Sequence, residues 1–133
     1  MAIQEQILRS VNCTEESFNA GEYIFHEGDV PQFYYQIVKG EVRLTRFING
    51  SEYIQDILSE KSSIGESMLL VQKPYLFNAV AVSECIILKV EKEELFRLLK
   101  IHPQIFENIY KTLADDTFEK LTLMDAISNK NRG

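Results

Sequence analysis

Two cysteines, two histidines and no run of basic residues set the first limits on this 133-residue chain. Cys13 and Cys85 are too few, and too far apart in sequence, for a disulfide framework or a metal knuckle. Cys85, within Glu84-Cys85-Ile86-Ile87-Leu88, reads as a small buried hydrophobe. Neither His26 nor His102 has an acid or cysteine at metal-ligand spacing, so no metal site is expected. The G-x-S-x-G nucleophile pattern is missing as well, and the chain is not expected to be an enzyme. With no Lys/Arg cluster and a net charge of −6, a nucleic-acid surface is not expected. No apolar run approaches the ~20 residues of a membrane span. The opening Met1-Ala2-Ile3-Gln4-Glu5-Gln6 lacks the basic and apolar regions of a signal peptide. A reducing, cytoplasmic setting away from membranes is therefore expected. No internal repeat or low-complexity linker is present.

What the chain does have suits one globular domain, with 45% hydrophobic and 26% charged residues. Ile3, Ile7, Leu8 and Val11 fall at helical spacing and predict an N-terminal helical segment within residues 1–16. Residues 17–90 have the grammar of strands. The spacing predicts strands over 22–26, 33–38, 41–48, 51–58, 78–82 and 85–90. Glu27-Gly28-Asp29 is a turn, and Asn49-Gly50 is a hairpin signal that asks for positive φ at both residues. Tyr53, Ile54 and Ile57 are the apolar content of the return strand, and Arg43 and Arg46 suit cross-strand pairing with Glu52 or Asp56. Short antiparallel strands separated by glycine turns predict a β-roll or jelly roll, mainly β with flanking helices.

From residue 91 the period becomes helical, and residues 91–128 are expected to be C-terminal helices. Leu95, Leu98 and Leu99 mark one helix. Pro103 suits the first turn of a second, long helix over 103–127. Phe106, Tyr110, Leu113, Thr117, Leu121 and Met124 recur at steps of three and four. That apolar stripe outruns what a roll can cover, so Tyr110, Leu113, Thr117, Leu121 and Met124 are candidates for a parallel homodimer seam.

The richest stretch is Ser63-Ile64-Gly65-Glu66-Ser67-Met68-Leu69-Leu70, closed by Pro74. A glycine and an acid open a short helical turn, which offers backbone N–H groups to an anion and a carboxylate to hydroxyls. Gly65, Glu66 and Ser67 are thus candidate ligand residues, with Tyr75 and Leu76 just beyond the proline.

Gly21, Ile24-Phe25, Glu27-Gly28-Asp29, Tyr35, Ile37, Gly40-Glu41-Val42, Asn49-Gly50, Gly65-Glu66, Leu69-Leu70 and Pro74 form an ordered series. In that order they resemble the cyclic nucleotide-binding domain of the bacterial catabolite-activator and fumarate-regulator (Crp/Fnr) superfamily, over roughly residues 18–90. The resemblance implies a double-stranded β-helix with a phosphate-binding cassette and a cyclic nucleotide as ligand. By position, Gly65, Glu66 and Ser67 would present backbone N–H groups to the cyclic phosphate, and Glu66 would accept from the ribose 2′-OH. The family places an arginine and then a Ser or Thr after the proline; this chain has Tyr75 and Leu76. Tyrosine offers one neutral O–H where arginine offers a charged fork of donors. Binding of cyclic AMP and cyclic GMP is therefore expected to be weak or absent. The resemblance also implies a regulatory sensor whose ligand repositions the C-terminal helices. In transcription regulators of this kind a helix-turn-helix domain follows the long helix, and this sequence stops where that domain would begin. The chain alone is thus expected not to bind DNA. Two alternatives stay open: a ligand-independent dimerisation or interaction scaffold, and a sensor of a different small molecule.

Overall fold

The computed structural model describes residues 3–105 and residue 107. Within them, two four-stranded antiparallel sheets face each other as a β-roll. One sheet runs β1 (Cys13–Phe18), β8 (Cys85–Glu91), β3 (Phe33–Lys39), β6 (Ser63–Ile64). The other runs β2 (Tyr23–Phe25), β7 (Asn78–Ala81), β4 (Val42–Ile48), β5 (Ser51–Leu58). Helices α1 (Glu5–Leu8), α2 (Glu66–Val71) and α3 (Lys92–Ile101) complete the described elements.

Alternation along the strands divides the core in two. Inside the roll, Phe25, Tyr35, Ile37, Val42, Leu44, Ile64, Met68, Ala79 and Ile87 form one buried cluster. On the outer side of the first sheet, Tyr34, Leu88 and Val90 pack with Leu8, Leu69, Leu95, Leu98 and Leu99. Adjacent residues thus serve opposite faces: Tyr34 and Tyr35 on β3, Ile87 and Leu88 on β8. Gln36 is the polar tie on the outer face. Its Oε1 accepts from the Ile3 amide (2.9 Å) and from Tyr34 Oη (2.6 Å), and its Nε2 donates to the Ile3 carbonyl (2.6 Å).

Most expected strands lie within a residue or two of their observed bounds, and β5 occupies 51–58 as expected. The Asn49-Gly50 turn has φ of 53° and 82°, as a two-residue hairpin requires. Helix α3 buries Leu95, Leu98 and Leu99, with Glu93 and Glu94 in its first turn and Lys100 in its last.

Two expectations, the N-terminal segment and the pairing of Arg46, need correction. The N-terminal helical segment is only the four residues of α1, and the chain is already a strand at Cys13. β1 carries almost no apolar alternation (CTEESF) and exists because it adds to the edge of β8. Its acids are held by ion pairs, Glu15 to Arg9 at 2.8 Å and Glu16 to Lys89 at 3.7 Å. β6 is a two-residue strand with no periodicity to read. Tyr53, Ile54 and Ile57 are exposed, and Leu58 is the apolar residue of β5 that packs against the core. Arg43 pairs with Glu52 (3.0 Å) as expected, but Arg46 reaches Glu27 (3.2 Å) in the turn after β2. Beyond α3, residues 103–105 and 107 are helical; the rest of the expected 103–127 helix, with Tyr110, Leu113, Thr117, Leu121 and Met124, lies outside the described residues.

Candidate functional site

The cassette begins where β6 ends. Gly65, at φ 68°, caps α2, and Glu66 and Ser67 open the helix. Ser67 is buried and Glu66 is half-buried in the first turn, where the helix dipole favours an acid. α2 closes at Gln72, left-handed at φ 56°, and the Lys73 amide returns to the Met68 carbonyl at 3.1 Å. Pro74 and Lys73 are exposed, and the next residue turns inward.

Tyr75 is 3% exposed and sits inside the roll. Its backbone is clamped by the Glu27-Gly28-Asp29 turn: the Gly28 amide donates to the Tyr75 carbonyl (2.8 Å), and the Tyr75 amide donates to the Asp29 carbonyl (3.0 Å). The ring stacks on Phe25, with centroids 3.5 Å apart and an interplanar angle of 6°. Phe77 and Tyr35 complete the aromatic group, at centroid distances of 6.5 Å from Tyr75 and 6.0 Å from Phe25 respectively. The opposite edge of Tyr75 lies against Gly65, where a Cβ would stand 2.7 Å from Tyr75 Cε1 and 3.2 Å from Phe25 Cζ. Glycine is required there twice over, by its positive φ and by the ring.

The electrostatics of this interior disfavour charge. Burial pushes the Tyr75 phenol well above its ordinary range, with Tyr35 and Asp29 adding to it. Burial likewise pushes Tyr35 up to about 12, with Glu16 and Asp29 contributing. Among the described residues, Tyr75 Oη is buried with no hydrogen-bond partner, a condition shared by Thr45 Oγ1. On the outer side of the first sheet, burial and then the Glu66 charge raise the Tyr34 phenol.

The candidate residues are therefore brought together unequally. Gly65 and Tyr75 touch, and Leu76 packs on the same interior cluster. Glu66 and Ser67 start α2 beside them in sequence. Phe25 and the Gly28–Asp29 clamp were not among the candidate site residues; in sequence they read as a strand residue and a turn within the ordered series. Their role depends on β2 lying across from residues that follow Pro74, about fifty positions later. Among the described residues no group of three or more His, Cys, Asp or Glu side chains is placed to hold a metal ion. No described helix is long and apolar enough to cross a membrane.

The family pattern of the cyclic nucleotide-binding domain matches residues 15–102. The cyclic AMP receptor protein of Thermus thermophilus is 30% identical over 109 residues, which are 81% of this chain and 50% of that protein. The global nitrogen regulator of Synechocystis is 24% identical over 121 residues, 89% of this chain and 54% of that protein. The crystal structure of the Thermus thermophilus catabolite activator protein superposes with a TM-score of 0.78 at 27% identity, covering 93% of this chain and 58% of that one. The chain thus spans about half the length of the curated relatives it matches. The roll, its cassette and these relatives agree: the chain belongs to the cyclic nucleotide-binding domain family, related to Crp-type regulators.

Proposed function

We propose that this domain is a regulatory, non-catalytic module in which the phosphate-binding cassette has become a structural plug, so that cyclic AMP and cyclic GMP bind weakly or not at all. The observation that carries this reading is the Tyr75 ring, stacked on Phe25 and seated against Gly65. A cyclic phosphate brought to the start of α2 would meet a neutral aromatic ring where the family supplies a guanidinium. A charge-assisted hydrogen bond contributes about 1.5–3 kcal/mol against about 1 for a neutral one. The deficit of about 0.5–2 kcal/mol alone is about two- to thirtyfold in affinity, before the ring itself is displaced. Glu66 is retained in the cassette but serves the helix start first. The module acts in the cytoplasm as a homodimer through Tyr110, Leu113, Thr117, Leu121 and Met124, and does not engage DNA by itself.

Isothermal titration calorimetry of this chain with cyclic AMP and cyclic GMP tests the reading. No saturable heat in the micromolar range is expected for either; micromolar or tighter affinity overturns it. The double variant Tyr75→Arg/Leu76→Ser separates two forms of the proposal. A gain of about tenfold or more means that the cradle at Gly65–Ser67 persists and only its charged partner was lost. No gain favours the ligand-independent scaffold, which the packing of Phe25, Tyr75 and Phe77 also supports.

A further inference from the structure

Ile3 is buried, and a single side chain takes both of its peptide groups. Gln36 Oε1 accepts from the Ile3 amide at 2.9 Å, and Gln36 Nε2 donates to the Ile3 carbonyl at 2.6 Å. Gln36 is itself only 4% exposed, and its Oε1 also accepts from Tyr34 Oη at 2.6 Å. A side-chain amide matches a residue's backbone in this way because each offers one donor and one acceptor. An aliphatic side chain at position 36 would bury as well. The amide adds a defined seat for one residue, held by bonds that water can replace.

Local structure contributes little to holding the segment that follows. α1 has four residues, far too few for a helix to persist by itself, and Gln4 caps it without a side-chain hydrogen bond. Ile3 and Leu8 anchor its two ends in the outer cluster. Along one flank it borders open space: Ile3, Gln4, Gln36, Val38, Glu60 and Lys61 line a cleft of about 570 Å3. Residues 3–8 are thus fixed at both ends and have room to lift between them.

The same cluster supports the cassette. α2 has six residues and no side-chain cap at Gly65, so it too depends on tertiary contacts. Met68 belongs to the cluster inside the roll, whereas Leu69 belongs to the outer one with Ile3, Leu8 and Tyr34. A polar route runs beside this apolar one. Tyr34, whose hydroxyl donates to Gln36, is near enough to Glu66 in the first turn of α2 to feel its charge.

We infer that residues 3–8 form a strap, latched by Gln36, whose seating holds the cassette helix α2 against the first sheet and whose release frees it. When the strap lifts into the cleft, water takes up the amide's bonds, and Leu69 loses the apolar cover of Ile3 and Leu8. The N-terminal segment thereby controls the cassette from outside the roll. This control does not pass through the Tyr75 ring, and it operates whether or not a cyclic nucleotide binds.

Amide exchange on the full chain, under conditions where rates report opening equilibria, tests the strap through two variants. Gln36→Leu keeps a buried apolar side chain and removes both bonds to Ile3; Ile3→Ala keeps those bonds and removes the anchor. In each, the Leu8 and Arg9 amides, bonded to the Gln4 and Glu5 carbonyls, should exchange about tenfold faster or more. The Leu69 and Lys73 amides, bonded to the Gly65 and Met68 carbonyls, should accelerate with them by about tenfold or more. The Gly21 and Val82 amides, bonded to the Ala81 and Glu41 carbonyls at the second sheet, should stay within about threefold of the parent. Three results overturn the strap. Acceleration at Leu8 and Arg9 alone breaks the link to the cassette, equal acceleration at Gly21 and Val82 shows a global loss of stability, and no acceleration at Leu69 and Lys73 in either variant removes the latch.

Discussion

Replacing Tyr75 with phenylalanine removes one oxygen from the interior of the roll and leaves the ring in place. The Tyr75 hydroxyl is buried and has no partner among the described residues, while the ring keeps its stack on Phe25 and its contact with Gly65. A hydroxyl buried without a partner costs about 1–3 kcal/mol relative to its hydrated state. The void left by the oxygen costs a few tenths of a kcal/mol at about 24 cal/mol per Å3. Tyr75→Phe should therefore stabilise the domain by about 1–2 kcal/mol. Urea unfolding followed by circular dichroism should show a higher midpoint at unchanged slope. The melting temperature should rise by about 3–8 °C. A midpoint at or below that of the parent refutes the reasoning, because the hydroxyl must then be held by a hydrogen bond in the folded state. The same variant should remain inert to cyclic AMP, since it restores no charge.

Gly65→Ala should destabilise by about 1–3 kcal/mol, from the left-handed backbone and the approach of the new methyl to the Tyr75 ring; a Gly65→Ala/Tyr75→Ala cycle followed by urea unfolding should return part of that loss as coupling. Alkaline unfolding has a defined sign: Tyr34, Tyr35 and Tyr75 all have raised folded pKa values, so their contribution is fully present below the unfolded value of about 10 and declines as pH rises above it. Stability measured from pH 9 to 12 should fall with a slope of up to about 1.4 kcal/mol per unit for each such phenol, and Tyr75→Phe should make it shallower. Leu113→Glu should convert the dimer assigned to the C-terminal stripe into monomer on light scattering; a persistent dimer would place the seam elsewhere.

How much of this was legible in the sequence depended on whether a residue's neighbours were local. Asn49-Gly50 and the α3 leucines act through a turn or a helical face, and both were readable in place. β1 was not, because its polar residues form a strand only through pairing with β8 across about seventy positions. Ile54 and Ile57 were readable as the apolar content of β5, with no face assigned to them. Their exposure follows from β5 being the last strand of its sheet, and no property of the residues themselves decides that.

The sequence by itself determined the class: short strands, glycine turns and a Gly65-Glu66 cassette in an order that resembles the cyclic nucleotide-binding domain, with a tyrosine where an arginine is usual. It did so because turn chemistry and side-chain charge are local properties. Only the tertiary structure decided what that tyrosine does. The Gly28–Asp29 clamp and the Phe25 face are remote in sequence, and together they turn Tyr75 into the roll, against Gly65, instead of out to solvent. Burial in an interior without charge then makes a neutral ring the stable occupant of that position.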